Sequence, residues 1–246
     1  MKRTIRKILR ALGYGVWKIE SSEVLNFYNF LHLLLSYKGT FSYVQIGAHD
    51  GIMVDPIYEF VTDHSDRIRG VLVEPIPKLF SQLRSNYSAF PTIRPINVAI
   101  HNELAEATMY CLKDSAIRRM GEKSSGWASL DPDHWKRMHG LSETDIEAMT
   151  VTCKTLVEVL KENDLTNPDV IIVDTEGYDF QLLADLDLDR IRPKIIRFEH
   201  GLSTKTMTEK QLKILIAKFN SYGYQVILEQ NDATVLDTNF AIQTFS

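Results

Sequence analysis

Four short runs, YVQIG, GVLVEP, DVIIVDTEG and KIIRFEH, each hold a brief apolar stretch that gives way to a glycine or an acidic residue. A strand without polar alternation must be covered on both faces, which is the condition of a parallel sheet between helical layers. Helical spacing lies between the runs. In PKLFSQLRSNY, Leu79, Phe80, Leu83 and Tyr87 recur at helical intervals, and Thr155 with Glu158 has capping-box spacing before a further apolar helix. Thr208 with Gln211 opens another helix, carrying Leu212, Leu215 and Phe219 and stopped by Gly223. IRPINVAI reads as a further strand, EATMYCL as a short strand or hairpin, and MTVTCK as a strand. YQVILEQ and ATVLDT pair across a turn at Asn231 and Asp232 as a closing antiparallel hairpin. The class is α/β.

The chain is long enough for a substantial core, and its 44% hydrophobic and 24% charged residues fit an ordinary globular enzyme without repeats. We expect an N-terminal basic arm and helix at 1–37, with the helix over 22–37, and one domain over 38–246. A net charge of −4 offers no overall attraction to nucleic acid. Residues 1–10 are basic, so a solvated arm and a weak contact with an anionic membrane surface are both open; no apolar stretch is long enough to span a bilayer. Cys111 and Cys153 are the only cysteines and have no metal-ligand spacing, which favours reduced, half-buried thiols and a cytoplasmic setting. Residues 113–149 interrupt the pattern as a polar insertion containing Trp127, His134, Trp135 and His139, either a substrate lid or a surface decoration. Within it, Asp131 and Pro132 read as the start of a short helix that Gly140 ends.

Ligands of open α/β sheets sit beyond the carboxyl ends of the strands. There the chain delivers Gly47, His49, Asp50 and Gly51, then Glu74, then Asp174 and Glu176, then Glu199 and His200. Several acids aimed at one crevice repel unless a ligand, cation or hydrogen bond compensates them. Glycine at the first turn permits close backbone approach, and a carboxylate after the second strand accepts ribose hydroxyls. The turn lacks both G-x-G-x-x-G and a Walker lysine, so a cofactor with adenosine but no phosphate chain fits best, namely S-adenosylmethionine.

VQIGAHDG, VLVEPIP, INVAI, TVTCKTL, VIIVDTEGYDFQLL and IIRFEH, spanning about residues 40 to 200, resemble in order the FkbM family of S-adenosylmethionine-dependent methyltransferases. The resemblance implies a class I methyltransferase fold, a mainly parallel seven-stranded sheet with a reversed last hairpin. It also implies O-methylation of a saccharide, glycolipid or natural product. On this reading Gly47 and Gly51, with His49 and Asp50, shape the turn around the methionine tail, Glu74 takes the ribose, Ala99 lies near adenine, and Asp174 completes the cofactor site. Gln45 stands where the family commonly carries an acid, His49 at a usual asparagine and Ile172 at a frequent lysine. Asp50 or water would then hold the cofactor's ammonium.

Methyl transfer to an alcohol needs alignment, water exclusion and removal of a proton. His200, Asp174 and Glu199 are the candidates for the proton, as a general base or through a divalent cation such as Mg held by the same three residues. Trp127, Ser129, Trp135 and Glu176 are candidate acceptor contacts. Each has a plain alternative: Glu176 at a helix start, His49 as a turn residue, the tryptophans as seals. Two other functions stay open, a nicotinamide-dependent oxidoreductase, since Glu74 suits either ribose, and a non-catalytic saccharide- or partner-binding module.

Overall fold

The computed structural model describes residues 26–53, 55–137 and 139–245. The basic arm and residues 22–25 of the expected first helix lie outside them. Helix α1 (Phe27–Lys38) starts where the Asn26 side chain accepts the Asn29 N–H at 2.9 Å, and stops at Gly39, whose φ of 75° a side chain resists. Its buried stripe is Phe27, Phe30, Leu31, Leu34 and Leu35.

Five strands run parallel: β1 (Phe41–Ile46), β2 (Ile68–Val73), β3 (Ile93–Ile96), β7 (Val170–Val173) and β8 (Ile195–Glu199). The hairpin of β9 (Tyr224–Leu228) and β10 (Asp232–Asp237) completes the order β3-β2-β1-β7-β8-β10-β9, with β10 antiparallel to both neighbours. This is the class I methyltransferase arrangement. Strand register divides the core. Val44, Ile46, Val71 and Val73 face one side with helices α5 (Leu156–Glu162), α6 (Asp179–Asp185) and α7 (Glu209–Ser221). Tyr43, Leu72, Val170 and Ile172 face the other with α1, α2 (Tyr58–Asp63) and α3 (Pro77–Asn86). Both capping boxes form, Thr155 with Glu158 and Thr208 with Gln211. A final helix, α8 (Thr238–Phe245), follows β10.

The run IRPINVAI is not one strand. Asn97 Nδ2 donates to Glu74 O at 2.9 Å and to Pro75 O at 3.0 Å, turning the chain out of the main sheet after β3. Its remainder, β4 (Ala99–Ile100), joins a second sheet with β6 (Ile146–Lys154) and β5 (Glu106–Leu112), in the order β4-β6-β5. The sequence interruption at 113–149 holds α4 (Asp114–Met120) and a 3-10 segment at Glu122–Gly126, is pinned to β5 by the Tyr110–Ser129 bridge, and ends inside β6. Where the sequence predicts a helix from Asp131 there is only a 3-10 turn at His134–Arg137. Asp131 Oδ1 accepts the Asp133 N–H and Oδ2 pairs with Arg137, so the side chain closes a tight turn instead of capping an α-helix. Cys111 and Cys153 are buried and unbridged, further inside than expected. No helix among the described residues is long and apolar enough to cross a membrane.

Leu215 is fully buried between α7 and the sheet. Leu215→Ala should cost about 2–5 kcal/mol in urea unfolding, against about 1 kcal/mol for Thr208→Ala, which removes only the helix cap. Equal losses would contradict this account of the core.

Candidate active site

A cavity of about 340 Å³ opens beyond the carboxyl ends of β1, β2 and β7 and is roofed by residues 123–130. The backbone sets its floor. Gly47 has φ 83°, and its N–H and that of Ala48 donate to Val73 O at 2.9 and 3.0 Å. A Cβ on Gly47 would stand 1.7 Å from Asp174 O, so no larger residue fits while the ends of β1 and β7 keep this approach.

Glu74 is buried in the cavity wall, with Oε2 accepting the His49 N–H at 2.9 Å and Oε1 the Ile76 N–H at 2.8 Å. Burial nevertheless pushes its carboxyl up to about 8. Across β1, Asp174 lies open at the cavity mouth, and its carboxyl is raised by desolvation at the strand end and by the charges of Glu176, Asp179, Glu199 and Asp232. Glu199 is pushed up to about 8 by burial and then by Glu176, Asp179 and Asp232, and its Oε2 is buried without a hydrogen-bond partner.

Of the residues predicted from sequence, Gly47, His49, Glu74, Ala99, Trp127, Asp174 and Glu176 line the cavity together. Gly51 does not; it admits Leu83 and the Tyr87 ring, each 2.5 Å from where its Cβ would be. Asp50 Oδ1 accepts the N–H groups of Ile52 and Met53 at 3.0 and 2.7 Å and shapes the turn. Ser129 lies behind Glu176, its Oγ donating to Glu176 O at 2.6 Å. Trp135 lines a separate surface depression beside Tyr110 and Glu143. His200 is buried outside the cavity lining; Nδ1 accepts the Leu202 N–H and Nε2 lies 3.3 Å from Glu229 O, so both ring nitrogens face backbone. Among the described residues no three His, Cys, Asp or Glu side chains converge as metal ligands, and Asp174, Glu199 and His200 are not assembled into a cation site.

Sequence reasoning missed a smaller annex of about 130 Å³ that shares Gly47, His49 and Asp174 with the main cavity and adds Gln45, Asp55, Arg197 and Asp232. Gln45 Nε2 donates to Asp55 Oδ2 at 2.9 Å, while its buried Oε1 has no partner. Asp55 is pushed up to about 6 by burial. The Asp55-Pro56 pair before α2 was the available signal, since Asp55 Oδ1 accepts the Ile57 and Tyr58 N–H groups as a helix-start residue does.

Residues 45–226 match the family model described as the methyltransferase FkbM domain. The chain belongs to the FkbM methyltransferase family. Three solved structures illustrate the likeness of this methyltransferase to others. Against the human methyltransferase 10 domain containing protein the identity is 13% and the TM-score 0.45, over 96% of this chain and 92% of that one. The O-methyltransferase from Bacillus cereus in complex with SAH gives 11% and 0.42, over 95% and 89%. The Methanococcus jannaschii fibrillarin pre-rRNA processing protein gives 13% and 0.39, over 80% of this chain, which spans 65% of that one. None of the curated proteins matches the chain.

The FkbM methyltransferase is an S-adenosylmethionine-dependent enzyme, and its residues suit that cofactor. The glycine-floored turn admits backbone-close binding, the buried Glu74 carboxylate suits hydroxyls, and the orphaned Gln45 Oε1 with the surrounding acids suits a ligand carrying ammonium and sulfonium charges. When bound, the cofactor supplies a methyl carbon activated by positive sulfur.

The raised carboxyls give a sign to the pH dependence. Glu74 and Glu199 take up protons on folding between an ordinary value near 4.5 and about 8, so their contribution to stability is complete at low pH and is lost as pH rises through about 8. The ligand-free melting temperature should fall from pH 6 to pH 9, and Glu199→Gln should flatten that fall. S-adenosylmethionine, carrying one more positive charge than S-adenosylhomocysteine, should gain affinity relative to it over the same range. A melting temperature that climbs, or a pH-independent affinity ratio, would contradict the assignment.

Proposed function

We propose that this methyltransferase transfers its methyl group to a hydroxyl of a saccharide, glycolipid or natural product, with the cofactor and acceptor meeting in the roofed cavity. Glu74 accepts the ribose hydroxyls of S-adenosylmethionine, and Ala99 packs by its adenine. The turn of Gly47, His49, Asp50 and Gly51 carries the methionine part, directly or by holding the loop. Gln45, Asp55 and Asp174 in the annex take the ammonium in place of the family's strand acid. The observation that carries the reading is one cavity lined by carboxylates on both sides of β1, the buried Glu74 after β2 and the more open Asp174 after β7.

The protein's part in the chemistry is alignment, desolvation and proton management. Residues 113–149 act as the lid. His49 Nε2 meets Ser125 Oγ at 2.8 Å, and because that hydroxyl donates to Glu122 O, the ring nitrogen is the donor. Trp127 offers a flat face to a sugar ring. The acid pair after β7, Asp174 and Glu176, manages the acceptor proton; His200, engaged with backbone through both ring nitrogens, is not assigned to it. This reading requires no divalent cation, so EDTA should leave turnover unchanged; activity lost to EDTA and restored by Mg would overturn that part. The family assignment selects methyl transfer over the nicotinamide-dependent and non-catalytic alternatives.

Tritium from labelled S-adenosylmethionine should enter an extract of cellular polysaccharides, lipids and metabolites as an alkali-stable ether; label released by mild alkali would indicate a carboxyl acceptor instead. Glu74→Ala should weaken S-adenosylhomocysteine binding by about 10- to 100-fold in calorimetry while secondary structure is retained. Full affinity in that variant would remove Glu74 from the site.

A further inference from the structure

Glu176 stands in the cavity wall with a φ of 53°, a left-handed conformation that a non-glycine residue adopts only when its surroundings impose it. Asp179 holds the N–H groups of Thr175 and Gly177 on either side of it, and two side chains from the lid touch Glu176 itself. Ser129 holds its carbonyl, as described above. His134, only 4% exposed, places Nε2 3.4 Å from Glu176 Oε2, an approach just outside hydrogen-bond geometry, and this buried nitrogen makes no hydrogen bond to any group. The opposite ring nitrogen fixes the tautomer. His134 Nδ1 lies 3.1 Å from Arg137 Nη2, which also pairs with Asp131 Oδ2 at 2.7 Å. A guanidinium only donates, so Nδ1 must be the acceptor and the ring proton of neutral His134 sits on Nε2, facing the Glu176 carboxylate.

We propose that His134 is the positioning residue that turns the Glu176 carboxylate toward the acceptor, making Glu176 the group that receives the acceptor's hydroxyl proton. The inference rests on the hydroxyl-methylation reading above and assigns its proton acceptor. In the transfer, the acceptor oxygen bonds to the methyl carbon, the carbon–sulfur electron pair leaves with sulfur as a neutral thioether, and the hydroxyl proton passes to Glu176 Oε1. His134 takes up no second proton, because Arg137 occupies its other lone pair. The Asp131–Arg137–His134 series belongs wholly to the lid, so Glu176 is oriented only where the lid is packed down, which couples roofing of the cavity to readiness for chemistry.

Two measurements separate this inference from the function it rests on. Nitrogen-15 NMR of the ligand-free protein should show His134 protonated on Nε2 and bare on Nδ1, with the Nε2–H resonance moved by Glu176→Gln. A proton on Nδ1, or a resonance indifferent to that substitution, overturns the positioning role whatever the enzyme methylates. For activity, the probe is the alkali-stable fraction that the wild-type enzyme labels from tritiated S-adenosylmethionine. His134→Ala should lower kcat on it by about 100-fold, with the S-adenosylhomocysteine Kd within about twofold of wild type, and His134→Gln, whose amide donates from a similar place, should restore most of the rate. An undiminished kcat in His134→Ala, a parallel loss of S-adenosylhomocysteine affinity, or a His134→Gln variant no better than alanine would overturn the proposal. Failure of the wild-type enzyme to bind S-adenosylhomocysteine or to label that fraction would instead refute the function, leaving the NMR result to judge the pairing.

Discussion

The carboxylate of Glu74 ties together three pieces of chain around the cavity. It ends β2, accepts the backbone N–H of His49 in the turn after β1, and accepts that of Ile76 ahead of α3. Its own carbonyl takes the Asn97 amide that steers the chain out of the main sheet and toward Ala99. Floor, wall and far side of the cavity are therefore referred to one buried group. An ionisable side chain so placed opposes its own charging, and burial pushes its carboxyl up to about 8.

The other half of the site is organised by repulsion. Asp174, Glu176, Asp179, Glu199 and Asp232 crowd the ends of β7 and β8 and the start of β10, and the last four each raise the carboxyl of Asp174. Asp179 is occupied with the Thr175 hydroxyl and the Gly177 N–H, and Asp232 with Arg197, so they serve the loops. Asp174 and Glu176 face the cavity.

Much of the architecture was legible in the chain because burial on both strand faces leaves a simple pattern. The apolar runs became β1, β2, β7 and β8, and the two Thr-initiated capping boxes marked real helix starts. The strand ends also announced Gly47, Glu74 and Asp174, since a residue next after a buried strand has little freedom in where it goes. What escaped depended on side chains meeting across long separations. Nothing local in IRPINVAI reveals that Asn97 will bond to Glu74, and Gln45 read as a missing acid until Asp55 proved to sit beside it. The lid was least readable: His134 finds its role through Arg137 on one side and Glu176 on the other, and only folding decides that His200 turns toward backbone instead.

A crystal structure of the protein with S-adenosylhomocysteine tests the central claim most directly. The account predicts the ribose hydroxyls on the Glu74 carboxylate, the amino-acid tail over Gly47 and into the annex at Gln45 and Asp55, and the sulfur directed toward Asp174 and Glu176. A nucleoside bound away from Glu74, or a tail directed out of the annex, would contradict it.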